Sequence, residues 1–165
     1  MTVRDTQRAK VYAAEQFVRT MFDRAAEHGN RAVDFFGTRL TLPPEARFGS
    51  VESVQRYVDR VLGTDSVAQA FDRAAVPVSV RDRKSSRAAH YTAATAEIAV
   101  PAASGNRWAM RELVILHEVA HHLAPSGGPA HGPQFVQTLI TLVGLVLGPE
   151  TALVYRVLLS DAGLT

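Results

Sequence analysis

Apolar residues at helical spacing dominate the first part of the chain. From Arg8 to Glu27 they recur at steps of three and four residues, which predicts an amphipathic helix that ends near Gly29. The same spacing from Ser50 to Leu62 predicts a second helix, which Ser50 can cap. Residues 64–75 have no clear period and are compatible with a short helix. The two apolar stripes consist of Val11, Tyr12, Phe17, Val18, Met21 and Phe22, and of Val51, Val54, Tyr57, Val58, Val61 and Leu62.

The middle of the chain has the alternating pattern of β-strands. Phe35–Leu42 alternates in part and is followed by two prolines, so one strand is predicted there. Val76–Arg81 alternates valine with other residues, and Pro77 favours a position at the edge of a sheet. Ala89–Val100 is also compatible with strands, most clearly at Thr95–Val100.

The C-terminal third of the chain is predicted to be helical, over about Arg107–Leu123, Gly132–Leu147 and Pro149–Asp161. Pro149 suits the first position of a helix, where its missing N–H would have no partner in any case. A helix, then strands, then a helical part indicates an α+β fold with a small antiparallel or mixed sheet packed on helices. Since the 165 residues contain no repeat and no low-complexity linker, we expect one domain over residues 1–165.

Composition narrows the possible chemistry. The chain has no cysteine, which excludes disulfides, thiolate metal sites and cysteine nucleophiles, so any metal must be held by histidine or carboxylate side chains. The formal net charge of +2 gives no large electrostatic field and does not indicate a nucleic-acid partner. The basic segment Arg81–Arg87 is interpreted as a solvated hairpin loop, and contact with nucleic acid is the less favoured alternative.

The sequence does not predict attachment to a membrane. The most apolar window, Phe135–Leu147, has 13 residues, against about 20 needed to cross a bilayer. Charged residues begin at Arg4, before any apolar run, so no secretory signal is predicted and a cytoplasmic location is expected.

Two histidines and a glutamate form the pattern His-Glu-x-x-His at His117–His121, within an apolar helix. Residues four apart share a helix face, so the imidazoles of His117 and His121 can bind one zinc ion. Glu118 lies one step around the helix, where it can act as general base for a zinc-activated water. A buried helix whose histidines and glutamate bind other core groups is the less favoured alternative, because ionisable groups are costly among apolar flanks.

A catalytic zinc site usually has three protein ligands and one open position, so a third ligand is expected. His131 is the first candidate, because Pro125 ends the motif helix and a loop rich in glycine and proline can return the chain. Glu150 is the competing candidate, although the helix dipole alone favours a carboxylate in its position. His122 points about 100° away from His121 and is assigned to packing or to support of the ligands.

The segments His117–His122 and His131–Phe135 together match an HExxH plus HGxxF pattern. In this the chain resembles SprT-like zinc metallopeptidases, most closely a small actinobacterial family of zinc metallohydrolases. The resemblance covers about residues 96–147 and implies a zincin-like fold. Many SprT-like proteins carry a cysteine-bearing zinc ribbon, which this chain does not have. The resemblance also implies zinc ligands at His117, His121 and His131 and a catalytic acid/base at Glu118.

An extended strand before the motif helix binds substrate in zincins, and Thr95–Val100 stands in that place. This segment is either an exposed edge that binds peptide or an ordinary core strand, since both give the same alternation. Trp108 and Met110 are interpreted as core anchors. The sequence does not predict which residue would stabilise an oxyanion. The candidates are Tyr91, Tyr155, His90 and an arginine.

Together these features predict a zinc metallopeptidase with one zinc ion per chain, a peptide or protein substrate and no membrane partner. Two other functions stay open. In one, zinc stabilises a binding module that has no catalytic activity. In the other, Arg81–Arg87 binds nucleic acid. Neither the substrate nor the oligomeric state is predicted.

Overall fold

The computed structural model describes residues 3–84, 87–103 and 107–165. This part of the chain is folded into six α-helices and five β-strands, which confirms the α+β prediction. Two compact units are present, one of Met1–Pro44 with Pro125–Thr165 and one of Glu45–Ala124. The helices are α1 Arg8–Glu27, α2 Val51–Leu62, α3 Asp65–Ala70, α4 Glu112–Leu123, α5 Pro133–Leu147 and α6 Pro149–Asp161. The strands are β1 Ala32–Phe35, β2 Thr38–Thr41, β3 Ser79–Asp82, β4 His90–Thr92 and β5 Glu97–Val100, and short 3-10 helices occupy Asp72–Ala75 and Arg107–Ala109.

In the unit Met1–Pro44 with Pro125–Thr165, α6 packs against both α1 and α5. The predicted bounds of α1 are confirmed, but its buried face differs from the predicted stripe. Tyr12 and Phe17 are exposed, whereas the acidic residue Glu15 is buried. The buried positions recur at three- and four-residue steps, as a packed helix face requires; they are Val11, Glu15, Val18, Phe22 and Ala25.

The C-terminal helices α5 and α6 confirm the predicted pattern of this region. Each begins with a proline in its first turn, as predicted at Pro149. The buried face of α5 is made mainly of aliphatic residues and Phe135. Among the described helices, none combines the length and the apolar composition that a membrane span requires.

β1 and β2 form an antiparallel hairpin in the same unit. The strand predicted over Phe35–Leu42 is confirmed as β2, but its predicted start is too early, because the chain reverses at Phe36 and Gly37, whose φ angles are 49° and 79°. A two-residue hairpin turn of this type needs positive φ at both central residues, and glycine adopts it without steric cost. The Gly37 N–H also donates to Asp34 Oδ1 at 3.0 Å.

In the unit Glu45–Ala124 the sheet has the order β3-β5-β4, with β3 parallel and β4 antiparallel to β5. β5 is therefore the central strand, and three of its four residues are buried. Of the two alternatives for Thr95–Val100, the core strand is correct. The peptide-binding edge is wrong, because neighbouring strands already occupy the hydrogen-bonding groups on both sides of β5.

The basic segment Arg81–Arg87 starts in β3 and leads towards β4. Its interpretation as a hairpin loop is wrong, because β5 lies between these two strands. Ser85 and Ser86 of this segment lie outside the described residues. Arg81 Nε donates to Glu97 Oε1 at 2.6 Å, so this cation is already engaged in an ion pair across β3 and β5.

α2 begins after Ser50, as predicted. Ser50 Oγ accepts a hydrogen bond from the Ser53 N–H, and Ser53 Oγ accepts one from the Ser50 N–H, both at 3.1 Å. The Gln55 side chain donates to the Val78 carbonyl at 2.8 Å and accepts from the Val80 N–H at 2.7 Å. These bonds hold α2 along β3, which is an edge strand as predicted. Residues 64–75, for which the sequence is compatible with a short helix, contain α3 and the first 3-10 helix.

Buried charged groups decide where the motif helix α4 begins. The pattern predicts a start near Arg107, but a 3-10 turn occupies that segment and α4 begins at Glu112. The Glu45 carboxylate accepts from Arg111 Nε at 2.9 Å and from Arg111 Nη2 at 2.5 Å. It also accepts from the Leu113 N–H at 3.0 Å, one of the donors that a helix leaves free in its first turn.

Glu112 adds a second anchor at the start of α4. Its carboxylate accepts from the Ala46 N–H at 2.8 Å and from the Tyr57 hydroxyl at 2.6 Å. Burial, assisted by the Glu112 charge, raises the pKa of Tyr57 above its ordinary value, so the phenol stays a donor. Because α4 starts only at Glu112, Trp108 does not lie on the buried face of this helix. Its side chain is 40% exposed, so the prediction that Trp108 is a core anchor is wrong. Met110 is buried, as predicted.

Candidate metal centre

The motif His117–His121 lies in the middle of α4, in the most buried helix segment of its unit. Every residue of α4 except His121 is buried, and His121 is half-buried. Leucine, isoleucine, valine and alanine fill the positions between the polar residues. Helix geometry therefore places two imidazoles and the Glu118 carboxylate in a largely apolar environment. Burial of a polar group there costs free energy unless the group has a hydrogen-bond, ion-pair or metal partner.

His117 and His121 face each other across one turn of α4. Their Nε2 atoms are 3.1 Å apart, and the ring centroids are 4.8 Å apart in an edge-to-face arrangement. Two nitrogens bound to one tetrahedral zinc ion at about 2.0–2.1 Å would lie about 3.3–3.4 Å apart. The separation of the two Nε2 atoms is therefore close to the one that a shared ion requires.

His131 lies on a tight turn immediately before α5. The Gly132 N–H donates to the Pro129 carbonyl at 3.0 Å, which closes the turn. A Cβ at position 132 would lie 3.1–3.3 Å from atoms of Pro129, so the close approach favours glycine there. His131 is 5% exposed, and its Nδ1 lies 2.6 Å from Asp5 Oδ2.

The three predicted ligands form a group of possible metal ligands among the described residues. His117, His121 and His131 each offer one ring nitrogen, these atoms all lie within 4.8 Å of one another, and the group could hold a metal ion. These three histidines could therefore bind one metal ion, and their role as its ligands stays a prediction. That the metal is zinc stays a prediction, because imidazole ligands also suit other transition metals.

Glu150, the competing third ligand, has a different environment. It is exposed in the first turn of α6, and its Oε2 accepts a hydrogen bond from the Thr41 N–H of β2. It is not a member of the histidine group found among the described residues. The choice of His131 over Glu150 as third ligand stays a prediction.

Glu118 follows His117 directly on α4 and is 7% exposed. Its position next to a predicted ligand agrees with the spacing argument, and its role as general base stays a prediction. Of the candidates for oxyanion stabilisation, Tyr91 is engaged with His122 through its hydroxyl, and Tyr155 is fully buried on α6. Neither has a hydroxyl exposed for substrate.

His122 is a packing residue, one of the two roles predicted for it. Its Nε2–H donates to the carbonyls of Arg73 and Val76, both at 3.0 Å, and its Nδ1 accepts from the Tyr91 hydroxyl at 2.9 Å. Arg73 Nε in turn donates to the His122 carbonyl at 2.7 Å. Burial is the main cause that lowers the pKa of His122, which favours the neutral ring that these bonds require.

Asp5 is a neighbour of His131 that the sequence pattern does not reveal. It precedes α1 in a segment of mixed charge, and 126 positions separate it from His131. Tyr12 is a second such neighbour, with its ring centroid 5.2 Å from that of His131. No local spacing connects either residue to the motif.

Comparison of the chain with protein-family models, with curated proteins and with solved structures finds no match in any of the three. The resemblance to SprT-like metallopeptidases and the zincin-like fold therefore stay predictions from motif residues. The functional argument rests on the chemistry of the histidine group itself.

Proposed function

We propose that this protein is a zinc-dependent metallopeptidase, with zinc held by His117, His121 and His131. The observation that supports this proposal most strongly is the group of three imidazoles with a carboxylate directly beside one of them on a buried helix. Three neutral imidazoles without a thiolate are a donor set typical of catalytic zinc, which keeps a fourth position open. The absence of cysteine from the chain agrees with this assignment.

The residues of the chain have separate tasks in the proposed hydrolysis of a peptide bond. Bound zinc would supply Lewis acidity, which lowers the pKa of water and polarises a carbonyl group. Glu118 accepts the proton of the attacking water and later donates it to the leaving amine nitrogen. His117 and His121 keep their orientation because both stand on the same face of α4.

Metal content and hydrolysis together test this proposal. Protein purified without a metal-affinity tag should contain about one zinc per chain by elemental analysis. Wild type should cleave members of a peptide library, detected by mass spectrometry. Glu118→Gln should keep its zinc and lose activity by about 100-fold or more, because the amide cannot take up the proton.

The matched control for this variant is Glu52→Gln, which makes the same change at an exposed position of α2. It should leave both zinc content and cleavage unchanged. Hydrolysis retained in Glu118→Gln would remove Glu118 from the mechanism. If wild type contains no metal and takes up none on addition of zinc, the whole proposal is wrong.

The burial of the site favours a second candidate, a binding module that zinc stabilises. His117, Glu118 and His131 are all buried, and structural zinc sites are closed whereas catalytic ones keep an open position. In this case zinc would be present, a chelator would unfold the protein, and wild type would cleave no peptide.

A further inference from the structure

The N-terminal segment before α1 makes a specific contact with the third histidine. Asp5 Oδ2 lies 2.6 Å from His131 Nδ1, and the Asp5 side chain is 22% exposed. The other carboxylate oxygen, Oδ1, is buried and has no hydrogen-bond partner among the described residues. The hydrogen bond to His131 is therefore the polar contact that accounts for the position of this carboxylate.

A carboxylate next to Nδ1 favours one of the two tautomers of His131. A neutral imidazole carries a proton on one nitrogen and a lone pair on the other. An ionised carboxylate can only accept a hydrogen bond, so Asp5 places the proton on Nδ1. The lone pair of His131 then lies on Nε2, the atom opposite the carboxylate.

Aromatic neighbours fix the orientation of the same ring. The ring centroids of Tyr12 and Phe135 lie 5.2 Å and 5.0 Å from that of His131, and both pairs are tilted or edge-to-face. The Arg8 guanidinium lies 5.4 Å from the centre of the Tyr12 ring, so the first turns of α1 also contribute to this packing. The imidazole is thus held by a hydrogen bond on one edge and by ring contacts on its sides.

We propose that Asp5 is a positioning residue of the metal centre, which selects the His131 tautomer that presents Nε2 to the ion. This inference rests on the proposed zinc site. It implies that the segment before α1 is part of the metal centre although it contributes no ligand. Outer carboxylate partners of zinc-bound histidines change metal affinity by about 10–100-fold when they are removed.

Zinc affinity of three variants tests this role. We expect Asp5→Ala to raise the Kd for zinc, measured by competition with a chromophoric chelator, by about 10–100-fold. Asp5→Glu should restore part of the affinity, because it keeps an ionised acceptor. Asp5→Asn should lie between wild type and Asp5→Ala, since its amide oxygen can still accept from Nδ1 but carries no charge.

Two further measurements separate positioning from a purely structural role. Cobalt(II) substituted for zinc should give an altered visible absorption spectrum in Asp5→Asn, because the ligand set would be less well oriented. The melting temperature of the metal-free Asp5→Asn protein should stay close to that of wild type. The matched control is Asp161→Asn, an identical change at an exposed position of α6, which should alter neither affinity nor spectrum.

The failures of this inference and of the proposed function are distinguishable. Equal zinc affinity in wild type and Asp5→Ala would overturn the role of Asp5 and leave the zinc site intact. An affinity loss that is matched by the same loss of metal-free stability in Asp5→Asn, with an unchanged cobalt spectrum, would assign Asp5 to folding alone. If wild type binds no zinc, the metal centre and the role of Asp5 are both wrong.

Discussion

His117 and His121 stand on one helix, four residues apart, whereas His131 stands on a turn and is held by a partner 126 residues away. The first two imidazoles obtain their mutual orientation from the period of α4, and the buried anchors Glu45 and Glu112 fix the start of that helix. The third is contacted by the Asp5 carboxylate and by packed rings. Side chains with the same chemistry are therefore positioned by local geometry in one case and by long-range contacts in the other.

This difference has a practical meaning for mutagenesis. A ligand held by helix geometry should be sensitive mainly to its own replacement, because the surrounding helix has many independent contacts. A proposed ligand that a distant carboxylate helps to hold should be sensitive to the replacement of that carboxylate as well. The predictions below test this contrast, from the largest expected effect to the smallest.

Loss of a ligand should have the largest effect. His117→Ala and His131→Ala should each raise the Kd for zinc by more than the 10–100-fold expected for an outer partner. Isothermal titration or chelator competition measures this change. Glu150→Gln is the control and should leave the Kd unchanged, since its side chain binds the Thr41 N–H. If Glu150→Gln weakens zinc binding and His131→Ala does not, the third ligand is Glu150.

Removal of His122 should destabilise the protein without metal. His122→Ala leaves the Tyr91 hydroxyl and the carbonyls of Arg73 and Val76 without their buried partner. We expect the free energy of unfolding to fall by about 2–4 kcal/mol, measured by urea denaturation in the presence of a chelator. The exposed His28→Ala should change it by less than about 0.5 kcal/mol. A similarly small change for His122→Ala would show that the hydrogen bonds of His122 do not stabilise the folded protein.

The hairpin turn should give the smallest effect. Gly37→Ala places a Cβ on a residue with φ of 79°, and we expect a loss of about 1 kcal/mol in unfolding free energy. Gly49→Ala is the control, because open space surrounds that position and its φ is not in the left-handed range. Zinc affinity should be unchanged in both variants. A change in affinity for Gly37→Ala would mean that the hairpin supports His131 as well.

The sequence predicts the helices of this protein better than its sheet. The long apolar period of α1 and the serine cap of α2 are local signals, and both give correct helix starts. The alternation over Phe35–Leu42 predicts β2, but it gives no signal for β1 or for the turn at Phe36 and Gly37. The central position of β5 depends on pairing with β3 and β4, which alternation along a single strand does not encode.

The contrast between local signals and long-range contacts also applies to the candidate site. His117, Glu118 and His121 follow from one spacing rule on a helix, and His131 follows from the loop that returns the chain. Asp5 could not be predicted, because a carboxylate in a mixed-charge segment gives no signal of a distant partner. The usual burial of large aromatic residues predicts a core position for Trp108, whereas the late start of α4 leaves it exposed.

The hydrogen bonds of Gln55 have a consequence for the edge of the sheet at β3. A primary amide has the same donor and acceptor as a peptide unit, and here it binds the Val78 carbonyl and the Val80 N–H as a neighbouring strand would. An uncovered edge strand is a template for edge-to-edge association between molecules. One side chain of α2 therefore imitates a missing strand and occupies two backbone groups at this edge that a strand from another copy of the chain would need.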